Sequence, residues 1–183
     1  ELTKPTLIGP WGSLAGVYMG PAWYYFLAVP YVISGGDPRA SVIAVMLANL
    51  GALLVGTWFL KKELNAKSAL LFAFIFALSP QNINITTYPF HANMLPATMT
   101  AMLISMYRLQ SPALSSQSRA LYLALAALAT SLNFHFEPAA GIFTTLTFIL
   151  VTLFIHLRRR LAVKPFSYLA IAFAIPFLPQ LIF

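Results

Sequence analysis

Proton transfer or metal ligation in this 183-residue chain rests on few groups: three histidines and four acidic residues, with no cysteine. His135 and Glu137 stand two residues apart beside Pro138, at the end of an apolar run, a position where ionisable groups are usually functional in membrane proteins. Together with His91 they could offer nitrogen and oxygen ligands to a divalent cation, and His135 and Glu137 are the expected metal pair, although His-x-Glu is not an established metal signature. His91 belongs to the one long polar interruption, Ser79 to Pro96 (SPQNINITTYPFHANMLP), which also holds Asn93 and Tyr88. Asn84-Ile85-Thr86 inside it matches a glycosylation acceptor. No glycine loop for a nucleotide, no Ser/His/Asp set and no HExxH motif is present, so a soluble nucleotide-using enzyme has no support.

The elements that must position these groups are membrane helices. Hydrophobic residues make up 60% of the chain and charged ones 8%, against about 25% charged in a soluble domain. The sequence predicts an all-α, polytopic membrane bundle in two parts, an outer-loop region over 1–38 and a transmembrane bundle over 39–183. Glycines and prolines punctuate residues 1–20, which read as loop. Pro21 to Ser34, 14 residues rich in Trp and Tyr, would reach about 21 Å as a helix, short of a core of about 30 Å; it is expected to lie in the interface. Asp37 is the expected N-cap of a span over 39–60, with Pro38 at its first helical position. Ala44, Ala48, Ala52 and Gly56 give that span a smooth stripe for helix packing, and Asn49 is expected to hydrogen-bond to a neighbouring helix. Two short, proline-marked helices, 68–80 and 94–107, flank the polar interruption and suggest a hairpin whose tip sinks below the surface, covered by other protein or a water-filled cavity. Further spans are read at 120–136, 139–157 and 165–183, six in all.

Charge orients the bundle. The segments 61–67, 108–119 and 156–164 hold nine of the eleven Lys and Arg residues, and the alternate loops 80–93 and 134–138 hold none. Basic loops stay cytoplasmic, which puts 1–38, 80–93 and 134–138 together outside the plasma (inner) membrane. The net charge of +7 is thereby explained as topology, and no nucleic-acid partner is expected. There is no Met before Glu1, and Phe183 ends inside an apolar run, so the chain is expected to be a segment of a longer protein.

The run Thr6 to Ala28, with Gly20-Pro21 followed by Trp23-Tyr24-Tyr25, resembles the end of the first outer loop of GT-C glycosyltransferases, the protein-mannosyltransferase and aminoarabinose-transferase group (family 39 type). Asp37-Pro38-Arg39-Ala40 resembles the entry to that family's second transmembrane helix and Leu78-Ser79-Pro80 the end of its third. Tyr88 to Pro96 and Leu132 to Gly141 resemble later outer loops. The resemblance implies transfer of a sugar from a polyprenyl-phosphate donor to an acceptor on the outer face, with membrane lipids as surroundings. It implies a pocket lined by His91, Asn93, His135 and Glu137, with Tyr24 and Tyr25 on the lipid. The family's principal catalytic Asp would precede Glu1, and Asn93 stands where relatives carry a second acid, so no catalytic base is named. A transporter or a non-catalytic membrane subunit is the alternative; the transporter predicts inverted repeats, which this sequence lacks.

Overall fold

The computed structural model describes residues 9–11, 18–86, 88–159, 167–168 and 170–172. These contain seven α-helices: α1 (Ala22–Ile33), α2 (Arg39–Glu63), α3 (Ala66–Leu78), α4 (Pro80–Ile85), α5 (Leu95–Leu109), α6 (Ser116–Phe136) and α7 (Pro138–Arg159), with a 3-10 turn over His91–Met94. No strand occurs among the described residues; Trp11 and Tyr18 form an isolated antiparallel bridge. Among the described residues two helices are long and apolar enough to cross a membrane, α2 and the Pro138–Arg158 stretch of α7. The run 165–183 lies largely outside the described residues, as do 1–8, 12–17 and the basic positions 160 and 164.

Each boundary has a local cause. α1 ends because Gly35 and Gly36 take φ of +72° and +97°, which a side chain disfavours, and Gly36 N–H closes the turn on the Tyr31 carbonyl at 2.8 Å. α2 starts one residue later than the expected capping places it: Pro38 holds the cap position, and Asp37 Oδ1 accepts from the Arg39 N–H at 2.9 Å. The Arg39 guanidinium also grips both carboxylate oxygens, holding the Asp37 carboxyl below its usual range. That contribution is present at neutral pH and disappears as acid protonates Asp37 through its lowered pKa. Asn65 and Ser115 cap α3 and α6 by accepting from the N–H groups of Ser68 and Ser118. Lys61, Lys62 and Lys67 sit on helix ends, and Arg119 lies within the first turns of α6. The connections first read as 61–67 and 108–119 are therefore much shorter than expected.

Packing follows small residues. α2 runs along α3, α5 along α6 and α6 along α7. Ala126 and Ala127 of α6 are fully buried in a core shared with Met102, Met106 and Phe148. On the α2 stripe, Ala52 and Gly56 are buried, and a Cβ at Gly56 would come within 2.7 Å of the Phe72 ring of α3. Gly51, on the same helix, has nothing within 4 Å. Gly51→Ala is expected to raise stability by up to about 1 kcal/mol through helix propensity, and Gly56→Ala to lower it despite the same gain. Thermal unfolding of the two purified variants checks this; equal shifts would contradict the close α2–α3 contact.

At the other end of α2, Glu63 meets Arg108 of α5 at 2.8 Å, and the Arg108 guanidinium lies over the Phe59 ring. The polar interruption is more ordered than a loop. Ser79 accepts from the Asn82 N–H to start α4, and the 3-10 turn follows Pro89. Helices α3 and α5, of 13 and 15 residues, reach about 20 and 22 Å, so their shared tip meets α2 at Asn49, about 15 Å inside its Arg39 end. α1 packs against both α2 and α6, and its Trp23 shares a buried cluster with Met94 of the turn.

Candidate functional site

Three segments distant in sequence meet at this end of the bundle. The first is the turn into α1. Gly9 and Met19 pair their backbones at 3.0 Å, which sets Gly20 directly under the His135 ring. Trp23, one turn on, is buried edge-to-face against Phe136 at 6.1 Å, while the next two residues, Tyr24 and Tyr25, are exposed.

The second is the 3-10 turn. His91 Nδ1 lies 2.6 Å from the Phe136 carbonyl oxygen and 3.7 Å from Glu137 Oε2. A carbonyl can only accept, so Nδ1 carries the hydrogen, and in the neutral ring Nε2 holds the lone pair. Phe136 ends α6, so its carbonyl has no further turn of helix to bond, and His91 satisfies it from 45 residues away. Asn93, two residues on, donates from Nδ2 to the Tyr88 carbonyl at 2.8 Å, and its own carbonyl accepts from Asn49 Nδ2 at 2.9 Å. The expected partner for Asn49 is thus found in the turn.

The third is the corner between α6 and α7, which consists of Glu137 alone. Its N–H bonds to the Asn133 carbonyl and its carbonyl accepts from Gly141 N–H, both at 2.8 Å, so one residue ends one helix and begins the next. Asn133 Oδ1 accepts from the Thr98 hydroxyl of α5. Pro138 suits the first position of α7, where an N–H would go unused.

The structure brings together His91, Asn93, His135 and Glu137, but it separates them by exposure. His91, Asn93 and His135 are buried, whereas the Glu137 side chain is 31% exposed. His135 and Glu137, the expected metal pair, meet different neighbours. Residues two apart at a helix end point to different sides, so His135 turns onto Gly20 and Glu137 turns toward His91. Among the described residues no three metal-ligating side chains come together. Glu1 lies outside the described residues. What sequence reasoning missed is the Phe136 carbonyl; the signal was Pro138, which closes a helix just before it and leaves carbonyls to be satisfied.

His91→Ala should leave that carbonyl without a protein donor, at a cost of about 1–3 kcal/mol. His91→Asn, whose amide can occupy the place of Nδ1, should recover most of the loss. Unfolding midpoints of both variants check the assignment; equal losses would contradict it. No family model, no curated protein and no solved structure matches this chain.

Proposed function

We propose that this chain is part of a membrane-embedded glycosyltransferase of the GT-C type, moving a sugar from a polyprenyl-phosphate donor to a hydroxyl acceptor. The observation that carries the proposal is the meeting of the three segments with the family-like motifs: Gly20–Tyr25, Tyr88–Pro96 and Leu132–Gly141. They lie far apart in the chain, and their contact through Gly20 and His135, Trp23 and Phe136, and His91 and Phe136 is what a shared site would require. In this reading α2, α3, α5, α6 and α7 cross the membrane with the run 165–183 as the sixth, α1 lies in the interface, and the basic helix ends face the cytoplasm.

The roles follow from exposure. Glu137 is the reachable charged group, and Tyr24 and Tyr25 offer aromatic faces to the lipid at headgroup level. Buried His91, Asn93 and His135 shape the wall behind them. In the transfer, the bond from sugar C1 to the phosphate oxygen breaks and one from C1 to the acceptor oxygen forms. The hydroxyl proton passes to a base, and the polyprenyl phosphate leaves with the bonding electrons. Such a base must lie within hydrogen-bond reach of the hydroxyl.

The test is release of radiolabelled sugar from polyprenyl-phosphate donors by the full-length protein in membranes. Glu137→Gln is expected to reduce transfer at least about tenfold, the scale of a lost charged contact in the transition state. Transfer unchanged by Glu137→Gln, or absent from the wild type with every donor tried, would overturn the reading.

A further inference from the structure

A groove between α2, α3 and α4 adjoins the turn that carries Asn93. Its volume is about 380 Å³, and Met46, Leu47, Leu50 and Leu53 of α2 face Phe76 and Ile83 across it. Asn82 and Thr86 add polar groups to the lining, but Asn82 Nδ2 already donates to the Phe76 carbonyl and the Thr86 hydroxyl to the Ile83 carbonyl. Among the lining residues, Asn49 is the one with a buried side-chain atom left unbonded. Its side chain is 98% buried, both amide hydrogens are committed, to the carbonyls of Val45 at 3.0 Å and Asn93 at 2.9 Å, and Oδ1 has no hydrogen-bond partner in the protein. The amide cannot be turned over to relieve this, because both its present partners are acceptors. A buried amide oxygen calls for a donor.

We infer that the groove is a binding site for a membrane lipid bearing a hydroxyl or N–H donor, with the lipid's chain along the α2–α3 wall and its donor on Asn49 Oδ1. Three observations favour this occupant. The groove is more than ten times the volume of one water, about 30 Å³, and its walls are apolar, so water alone does not fill it. Leu47 and Ile83 are exposed beside it, on elements that include one of the two helices able to cross a membrane, so hydrocarbon chains are the medium at its mouth. The unmet atom is an acceptor, so a lipid presenting acceptors alone, such as a fully ionised phosphate, gains nothing there. The inference is independent of sugar transfer.

The experiment measures retention of radiolabelled lipid by the full chain in neutral detergent, with dioleoylglycerol as the donor-bearing probe and its 3-O-methyl ether as the matched probe lacking the donor. Wild-type protein should hold dioleoylglycerol about tenfold tighter than the ether, the effect of one buried hydrogen bond. Asn49→Leu should abolish the preference. Ala77→Phe fills the groove from the α3 side without touching the Asn49 bonds, and should weaken both probes while the protein stays folded. It keeps the test intact if Asn49→Leu destabilises the turn. Equal retention of the two probes by the wild type, retention of neither, or unchanged retention by Ala77→Phe overturns the inference. Because no sugar donor is present, any of these leaves the glycosyl-transfer reading untouched, and loss of that reading leaves the groove unaffected.

Discussion

Gly141→Ala should cost this protein at least about 3 kcal/mol, the upper part of the range for forcing atoms into a packed interior. A Cβ at position 141 would stand 2.3 Å from the Phe134 Cα and 2.8 Å from the Phe134 nitrogen, both backbone atoms of α6. Side chains can swing aside; these cannot. The first turn of α7 would have to move off the last turn of α6, and the joint between them is one residue. Any such shift pulls on the Glu137 N–H bond to Asn133 and on the bond from Gly141 N–H to the Glu137 carbonyl. The helix-propensity gain of alanine over glycine, about 1 kcal/mol, is too small to compensate. Thermal or denaturant unfolding of purified protein reads the effect directly, with Gly51→Ala as the matched control. A Gly141→Ala variant as stable as the wild type would show that the two helices do not cross as closely as described.

Gly20→Ala comes next in size and differs in how it can be relieved. The added methyl would lie 1.5 Å from His135 Nδ1 and 2.1 Å from Cε1, closer than any non-bonded contact. The obstacle here is a side chain, but a fully buried one, so the ring can leave only by displacing its neighbours. The single variant is expected to lose about 1–3 kcal/mol. Combining it with His135→Ala removes the collision, so the double variant should be more stable than the two separate losses predict. A coupling of about 0.5–3 kcal/mol is the scale for residues in contact. Strict additivity in that double-mutant cycle would mean that position 20 does not lie under the ring.

Much of the architecture was legible because composition and punctuation agree. The Trp and Tyr cluster ended by Gly35-Gly36 announces α1, and the basic pairs at the helix ends mark the connections. Ala52 and Gly56 are buried, Gly56 against Phe72 of α3, because a stripe of small residues at intervals of four keeps one face of α2 smooth. The interior of Ser79–Pro96 was not legible. Its polar residues and three prolines read as irregular chain, yet Ser79-Pro80 is a cap and first turn, and His91–Met94 winds tightly enough to present both His91 and Asn93 inward. That His91, His135 and Glu137 share one end of the bundle was legible from the alternation of basic and uncharged loops, whereas the partners each finds were not. His135 and Glu137 are neighbours in sequence, so they suggest one another as partners, whereas helix geometry sends them apart and gives each a partner far along the chain. Gly20 stands in the Gly20-Pro21 motif of the sequence; that an imidazole rests on it is visible only in three dimensions.

The one-residue corner at Glu137 also bears on how the chain acquires its structure. Contacts between α6 and α7 span few residues, so the entropy lost in closing them is small, and this pair of helices should form early as a unit. The bond from His91 to the Phe136 carbonyl closes a loop of 45 residues and needs that corner to be in place already. The turn carrying His91 and Asn93 is therefore expected to lock last, and its amides to exchange with solvent hydrogen sooner than those of Asn133 and Gly141.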